Sequence, residues 1–205
     1  MEDRDLETRQ RLIDAASRLF AERGFSKVTV REICRSARAN VAAVNYHFGG
    51  KTGLYEEIVR SAIRIMQGTT EEIQKAGEKR PAEEQLAAYV CIFLTRVVEA
   101  RNGWIHHLMA HELTNPTPAL ELVVTDVIKP RMAYLGSVIA KLIGCKTTDA
   151  RVEHCVMSVQ AQCLALLSDR IAERFHPFAI NAKRLDVLAD HITRFSLAGI
   201  KAMKR

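Results

Sequence analysis

The sequence contains no run of about 18 or more apolar residues, which excludes a helix long enough to cross a bilayer. No Cys-x-x-Cys pair occurs: Cys34, Cys91, Cys145, Cys155 and Cys163 are odd in number and widely spread, and read as reduced, mostly buried small hydrophobes. Gly-x-Ser-x-Gly, a phosphate-binding glycine loop and a dinucleotide fingerprint are all missing, so the usual signatures of hydrolases and nucleotide-dependent enzymes are absent. No stretch alternates apolar and polar residues long enough for a sheet, and there is no internal repeat or low-complexity tract. The opening MEDRDLETRQ is acidic and polar where a secretory signal is basic and then apolar; a cytoplasmic protein is the expectation.

What remains is a 205-residue chain with 48% hydrophobic and 26% charged residues, enough apolar material for one or two packed domains. Its apolar spacing has the helical period throughout. Leu12, Ile13, Ala16, Leu19 and Phe20 form one stripe on a helix from about Glu7 to Arg23. A capping box, Thr29 with Glu32, opens a short second helix, and Asn40 caps a third from Val41 to Phe48, stopped by Gly49-Gly50. Longer helices follow over about 52–76, 81–100 and 104–113. A helix over 118–143 carries Pro130 in its interior, which should kink it near Asp126 to Lys129. The last two helices are expected over 150–172, with Leu166 and Leu167 buried and a break at Phe175 to Phe178, and over 182–203. The fold class is therefore all-α with about nine helices.

Charge is concentrated. Arg23, Lys27, Arg31, Arg35, Arg38 and Lys51 face one acid, Glu32, so this segment holds +5 of the net +6. A basic segment in a nearly neutral chain is an electrostatic footprint for nucleic acid or an anionic surface, or simply a solvated face. The same segment has the form of a helix-turn-helix, two short helices joined tightly at Arg38-Ala39-Asn40 after a longer one, and the two signals together favour DNA.

On the third helix Val41, Val44 and Phe48 should face inward, leaving Ala42, Ala43, Asn45, Tyr46 and His47 outward. Small residues at 42 and 43 allow close approach to base edges, and Asn45 can bond adenine or phosphate. Tyr46 and His47 either donate to phosphates or, on the plainer reading, pack and solvate the small domain. Arg31 has reach to a base or phosphate. Lys51 adds a cation beside the free N–H groups of the next helix.

The runs Thr29-Val-Arg-Glu-Ile33 and Val41-Ala-Ala-Val-Asn-Tyr-His-Phe-Gly-Gly-Lys-Thr-Gly-Leu-Tyr55 resemble the DNA-binding domain of TetR-type transcriptional regulators over about residues 8–58. The resemblance implies base or phosphate contacts from Arg31, Ala42, Ala43, Asn45, Tyr46, His47 and Lys51, and a phosphate bond from Thr29. It departs from the pattern twice: Arg38 stands where the family usually has a turn glycine, and Asn45 where it usually has tyrosine. His111-Glu-Leu-Thr-Asn-Pro-Thr-Pro118, Ile128-Lys-Pro-Arg131 and Leu142-Ile-Gly-Cys145 further resemble CecR-like members, which are associated with control of drug and solute efflux.

These readings divide the chain into a helix-turn-helix domain over 1–51 and an effector-binding and dimerisation domain over 52–205. Tyr89, Phe93, Trp104, His107, Met109, His111 and Cys163 combine apolar surface with a few polar groups, as ligand pockets do, although such residues at helical spacing are also ordinary core. The helices over 150–172 and 182–203 are apolar on more than one stripe, which suits a two-fold four-helix homodimer interface. His107 and His111, four apart, allow a metal-sensing alternative or, less favourably, a metal-dependent helical enzyme. The order is not His-Glu-x-x-His, so the general base of a zinc protease is out of place. The expectation is no catalytic residue, no metal and no cofactor. The expected protein is a homodimeric repressor, released from a palindromic double-stranded DNA operator by a small-molecule effector, with no membrane partner.

Overall fold

The computed structural model describes residues 2–100, 103–165 and 182–204, and among these every regular element is helical. In chain order they are α1 (Glu2–Arg23), α2 (Val30–Ala37), α3 (Val41–Phe48), α4 (Lys51–Gly77), α5 (Ala82–Ala100), α6 (Trp104–Thr114), α7 (Ala119–Val123), a π turn (Val124–Ile128), α8 (Lys129–Ile143), α9 (Ala150–Leu164) and α10 (Ala182–Ala202). The all-α expectation holds. The extension of α9 to 172, with Leu166, Leu167 and the break at Phe175 to Phe178, lies outside the described residues.

The chain packs as two compact units, residues 1–65 with 102–125, and residues 66–101 with 126–205. This division by packing differs from the expected division at residue 51. Sequence order puts α6 after the long α4 and α5, yet α6 packs on α1 inside the first unit. The reason is a pair of side chains with no sequence-local signal: Leu108 is fully buried, and Glu112, only 1% exposed, accepts a short hydrogen bond from the Tyr55 hydroxyl of α4.

In the first unit Leu12, Ala16 and Phe20 of the expected α1 stripe are buried, with Ala15 beside them, while Ile13 and Leu19 are half-buried; Ile33, Val44, Leu54 and Ile58 are buried in the same unit. Phe20 meets Tyr55 edge-on at 4.9 Å, and Phe25 meets Tyr55 at 4.8 Å. Arg9 of α1 pairs with Glu57 at 3.1 Å and lies 5.3 Å from the Phe48 ring centroid, tying α1 to α3 and α4. Gly53 is required by close approach, because a Cβ there would stand 1.9 Å from the Phe48 carbonyl oxygen.

The second unit is built from α5, α8, α9 and α10 around Leu86, Val90, Leu94, Leu135, Val138, Ile139, Val159 and Ile200. Pro130 acts where expected, but through a π turn instead of a simple kink. It lacks the N–H that a regular α-helix would direct at the Asp126 carbonyl, and the π turn over Val124–Ile128 absorbs the mismatch. The Gln67 side-chain amide donates to that carbonyl at 3.3 Å.

The turn between α2 and α3 carries the strain implied by a missing glycine. Arg38 is left-handed at φ 51°, ψ 47°, with its N–H on Arg35 O and the next N–H on Cys34 O, a Schellman closure. A side chain in this region is disfavoured by roughly 1–2 kcal/mol, offset in part by glycine's greater freedom when unfolded. Arg38→Gly is therefore expected to raise stability by about 0.5–1 kcal/mol in urea denaturation. A variant no more stable than the parent would show that Arg38 is relaxed there.

Candidate functional site

The helix-turn-helix is held by caps that leave one face of α3 outward. The Thr29 hydroxyl accepts from the Glu32 N–H at 3.3 Å, and the Glu32 carboxylate takes the Thr29 N–H at 2.8 Å and the Thr29 hydroxyl proton at 2.7 Å. Arg23 closes the arrangement, donating to Glu32 at 2.8 Å and to the Lys27 carbonyl at 2.6 Å. The Thr29 hydrogen bonds, and then Arg23, hold the Glu32 carboxyl down at about 2. The segment's single acid is thus ionised and paired with Arg23 at any ordinary pH, which leaves Lys27, Arg31, Arg35 and Arg38 as a net positive surface. At the start of α3 the Asn40 side chain accepts from the Ala42 N–H at 3.0 Å, and at its end Gly49 is left-handed.

Of the residues expected to meet DNA, Arg31, Ala42, Asn45 and Tyr46 are exposed, Tyr46 by 77%. Ala43 is half-buried. Val44 is fully buried and Phe48 partly so, as expected, but Val41 is 43% exposed and joins the outward face. It begins α3, where the chain has not yet reached the core. His47 differs from the expectation of an outward side chain: its imidazole is only 8% exposed and lies 3.5 Å from Asp5 of α1, edge-on to Tyr46. Thr29 has its hydroxyl engaged by Glu32. Lys51 sits at the first residue of α4 with its ammonium 4.2 Å from the centroid of the Phe25 ring; partial burial lowers its pKa, against the attraction of Glu32. The structure therefore brings Arg31, Val41, Ala42, Asn45 and Tyr46 to the surface of one motif, while His47 and Thr29 take part in holding it.

The effector candidates fall into two sets. Trp104, His107, Met109 and His111 are on α6 in the first unit, where a Cβ at Gly24 would approach the His111 imidazole to 3.1 Å. Tyr89, Phe93 and Cys163 belong to the second unit. Tyr89 and Phe93 stack at 5.8 Å, the Tyr89 hydroxyl donates to Gln160 of α9 at 2.7 Å, and burial raises the pKa of Tyr89 and pushes the Cys163 thiol up to about 12. Arg131, which sequence reasoning noted only within a motif, stands beside this second set. No group of three or more His, Cys, Asp or Glu side chains able to hold a metal occurs among the described residues.

Comparison with known proteins fits this geometry. Residues 12–58 match the family of bacterial regulatory proteins of the tetR type, and residues 82–200, more than half of the chain, match the C-terminal domain of the HTH-type transcriptional dual regulator CecR. CecR of Shigella flexneri is 28% identical over 158 residues, 71% of this chain and 69% of CecR. The probable HTH-type transcriptional regulator YttP of Bacillus subtilis is 37% identical over 83 residues, and the chain spans only 40% of its length. The crystal structure of a putative transcriptional regulator from Pseudomonas aeruginosa PAO1 has the same fold, with a TM-score of 0.70 at 19% identity over 96% of this chain and 93% of that one. With the capped helix-turn-helix, its basic segment and both halves matched, the chain belongs to the TetR family of DNA-binding transcriptional regulators, with a CecR-type C-terminal domain, and is not an enzyme.

Proposed function

We propose that the protein is a homodimeric repressor that holds a palindromic operator through α3 and is released from it by a small-molecule effector bound in the C-terminal half. The observation that carries this reading is the outward face of α3, where the small Ala42 and the polar Asn45 and Tyr46 stand between Arg31 and Lys51 on a fully capped motif. Ala42 suits apolar contact with a thymine methyl, Asn45 suits an adenine edge or phosphate, and Tyr46 and Lys51 suit phosphates. Two such helices, one from each protomer, would read half-sites about one helical turn apart. Effector binding would favour a state whose α3 helices no longer fit that spacing, which is linkage between two sites. Control of efflux or drug-response genes is carried over from the likeness to CecR-like regulators, and a cytoplasmic location accompanies a DNA operator.

A mobility-shift titration with DNA from upstream of the protein's own gene tests the reading. Binding should saturate on a palindrome and weaken with salt. Lys51→Ala should reduce the slope of log K against log salt by about 0.9 per protomer, since each neutralised phosphate releases counterions. Tyr46→Phe should weaken binding by about 13–160-fold, the worth of one hydrogen bond to a charged phosphate. Binding that ignores sequence and survives only at low salt would overturn the operator assignment, and an unchanged slope for Lys51→Ala would remove that residue from the phosphate contacts.

A further inference from the structure

Arg131 differs from Arg96, Arg151 and Arg194 of the second unit by what it lacks. Arg96 pairs with Glu72 and Glu99, Arg151 with Asp149, and Arg194 with Asp190. Arg131 is partly buried, and no described carboxylate pairs with it. Its Nε donates to the Thr70 hydroxyl at 3.1 Å, and Nη2 donates to the Met66 carbonyl at 2.8 Å. The guanidinium carbon lies 5.1 Å from the Phe93 ring centroid, and Phe93 stacks on Tyr89. Among the described residues Nη1 has no acceptor. Burial lowers the Arg131 pKa, and its charge is felt by Tyr89. The guanidinium nonetheless stays protonated, because its ordinary value is so high.

A desolvated cation held only by neutral acceptors and a ring face is an incomplete ion pair. A planar anion fits what is missing: the guanidinium fork has unused N–H groups for a carboxylate, and the body attached to it would enter by parting the buried Phe93 and Tyr89 rings, 4% and 0% exposed, beside which the cation lies. The π turn over Val124–Ile128 ends three residues before Arg131, and such turns recur at functional sites.

We propose that Arg131 is the anion-recognising residue of the effector site, and that the effector is an apolar organic acid whose carboxylate binds the guanidinium against Phe93 and Tyr89. The proposal rests on the effector-released reading above. It also supplies a way for the ligand to act on the helix that follows the DNA-reading element. Met66 and Thr70 belong to α4, which begins at Lys51 directly after α3. A carboxylate bound at the unused Nη1 side draws the guanidinium toward itself and lengthens its bonds from Nη2 to the Met66 carbonyl and from Nε to the Thr70 hydroxyl. Ligand-bound and ligand-free states therefore differ in how Arg131 grips α4, the differential contact that an effector needs in order to shift a population.

The test compares 4-phenylbutyrate and octanoate with their primary amides, matched in shape but uncharged, by calorimetry on the full-length protein. The wild type should bind the acids at least about tenfold more tightly than the amides, as a charge-assisted pair implies. The acids should also release operator DNA in mobility shifts. Arg131→Met, which keeps the stem's bulk, should bind acid and amide alike and still shift the operator. Arg131→Lys should retain acid preference at reduced strength, having a point charge without the fork. Equal binding of acids and amides by the wild type, or an acid preference that survives in Arg131→Met, overturns the proposal while leaving the effector reading in place. Failure of both acids to bind also overturns it, and the effector reading falls separately only if neutral and cationic amphiphiles, octanamide and octylamine, release no operator either. The wild-type comparison of acid with amide decides the matter even if Arg131→Met fails to fold.

Discussion

Phe195→Glu is expected to convert the proposed dimer into monomers and to lower operator affinity by on the order of 10²–10⁴-fold, the gain that tethering two half-site readers provides. α9 and α10 each have one face in the core of the second unit: Val152, Val159 and Cys163 on α9, and Leu185, Ala189, Ile192 and Ile200 on α10. Each also carries apolar or small residues on an outward face. Met157, Ala161 and Leu164 are exposed on α9 at i, i+4, i+7, and Val187, Phe195 and Ala198 on α10 at i, i+8, i+11. Single exposed hydrophobic residues are ordinary, but Met157, Val187 and Phe195 are each about two-thirds exposed (64%, 65% and 65%) on adjacent packed helices. Gln162 of α9 donates to the Ser196 hydroxyl of α10 at 3.3 Å, so the two helices are joined within the protomer. Burial of Phe195 against a second copy would be reversed by a carboxylate at its centre, whose desolvation has no partner. Light scattering after size exclusion should report half the wild-type mass, with unchanged helical circular dichroism. Phe195→Leu should remain dimeric. A dimeric Phe195→Glu protein with normal operator affinity would place the interface elsewhere.

The second large effect is expected in the first unit, at Glu112→Ala. The Glu112 carboxylate, 1% exposed, accepts from the Tyr55 hydroxyl and from both the N–H and the hydroxyl of Thr117, each at 3.2 Å. Thr117 in turn accepts the Ala119 N–H at 3.2 Å, so one carboxylate organises α4, the C-terminal end of α6 and the start of α7. Burial, followed by the Glu112 hydrogen bond, raises the Tyr55 pKa and keeps its proton available for that bond at any ordinary pH. Alanine at 112 leaves the buried Tyr55 hydroxyl and the Thr117 N–H without their acceptor, a loss of about 2–4 kcal/mol. For a chain of this size that corresponds to a fall of roughly 4–16 °C in Tm. Glu112→Gln should do less harm: its amide oxygen can still serve Tyr55, but its NH2 meets the Thr117 donor. A double-mutant cycle with Tyr55→Phe should give a coupling of about 1.5–3 kcal/mol, as for a hydrogen bond to a charged group. Additive losses would show that the two side chains act independently.

Much of the interface was legible because its signals are local. A capping box needs Thr29 and Glu32 three apart, and an N-cap needs Asn40 just before a helix; both formed as their spacing required. Val44 lay under α3 for the same reason of period, and Arg38, in a turn that usually has glycine, adopts the left-handed conformation the turn demands. His47 lies inward instead of outward because its position depends on α1, more than forty residues earlier in the chain, whose Asp5 lies against it. The expected effector residues share a chemical type but no stretch of chain. Type alone could not separate Trp104, His107, Met109 and His111, which joined the first unit, from Tyr89, Phe93 and Cys163 in the second.

The helical class, the caps and stops, the location of the charge and the break before Pro130 are all written locally in the chain, since they follow from interactions within a few residues of one another. So is the family, through a motif spread over one continuous segment. The packing of α6 on α1, the sharing of Glu112 as acceptor by Tyr55 and Thr117, and the lean of Arg131 on Phe93 while it grips Met66 and Thr70 arise instead from how the helices assemble. Apart from Glu112–Thr117, those contacts join residues about 40 to more than 80 positions apart, and no helical period or cap encodes them. Which buried polar group finds which partner is settled by the packing of whole helices, where an unsatisfied donor or unpaired charge is most expensive.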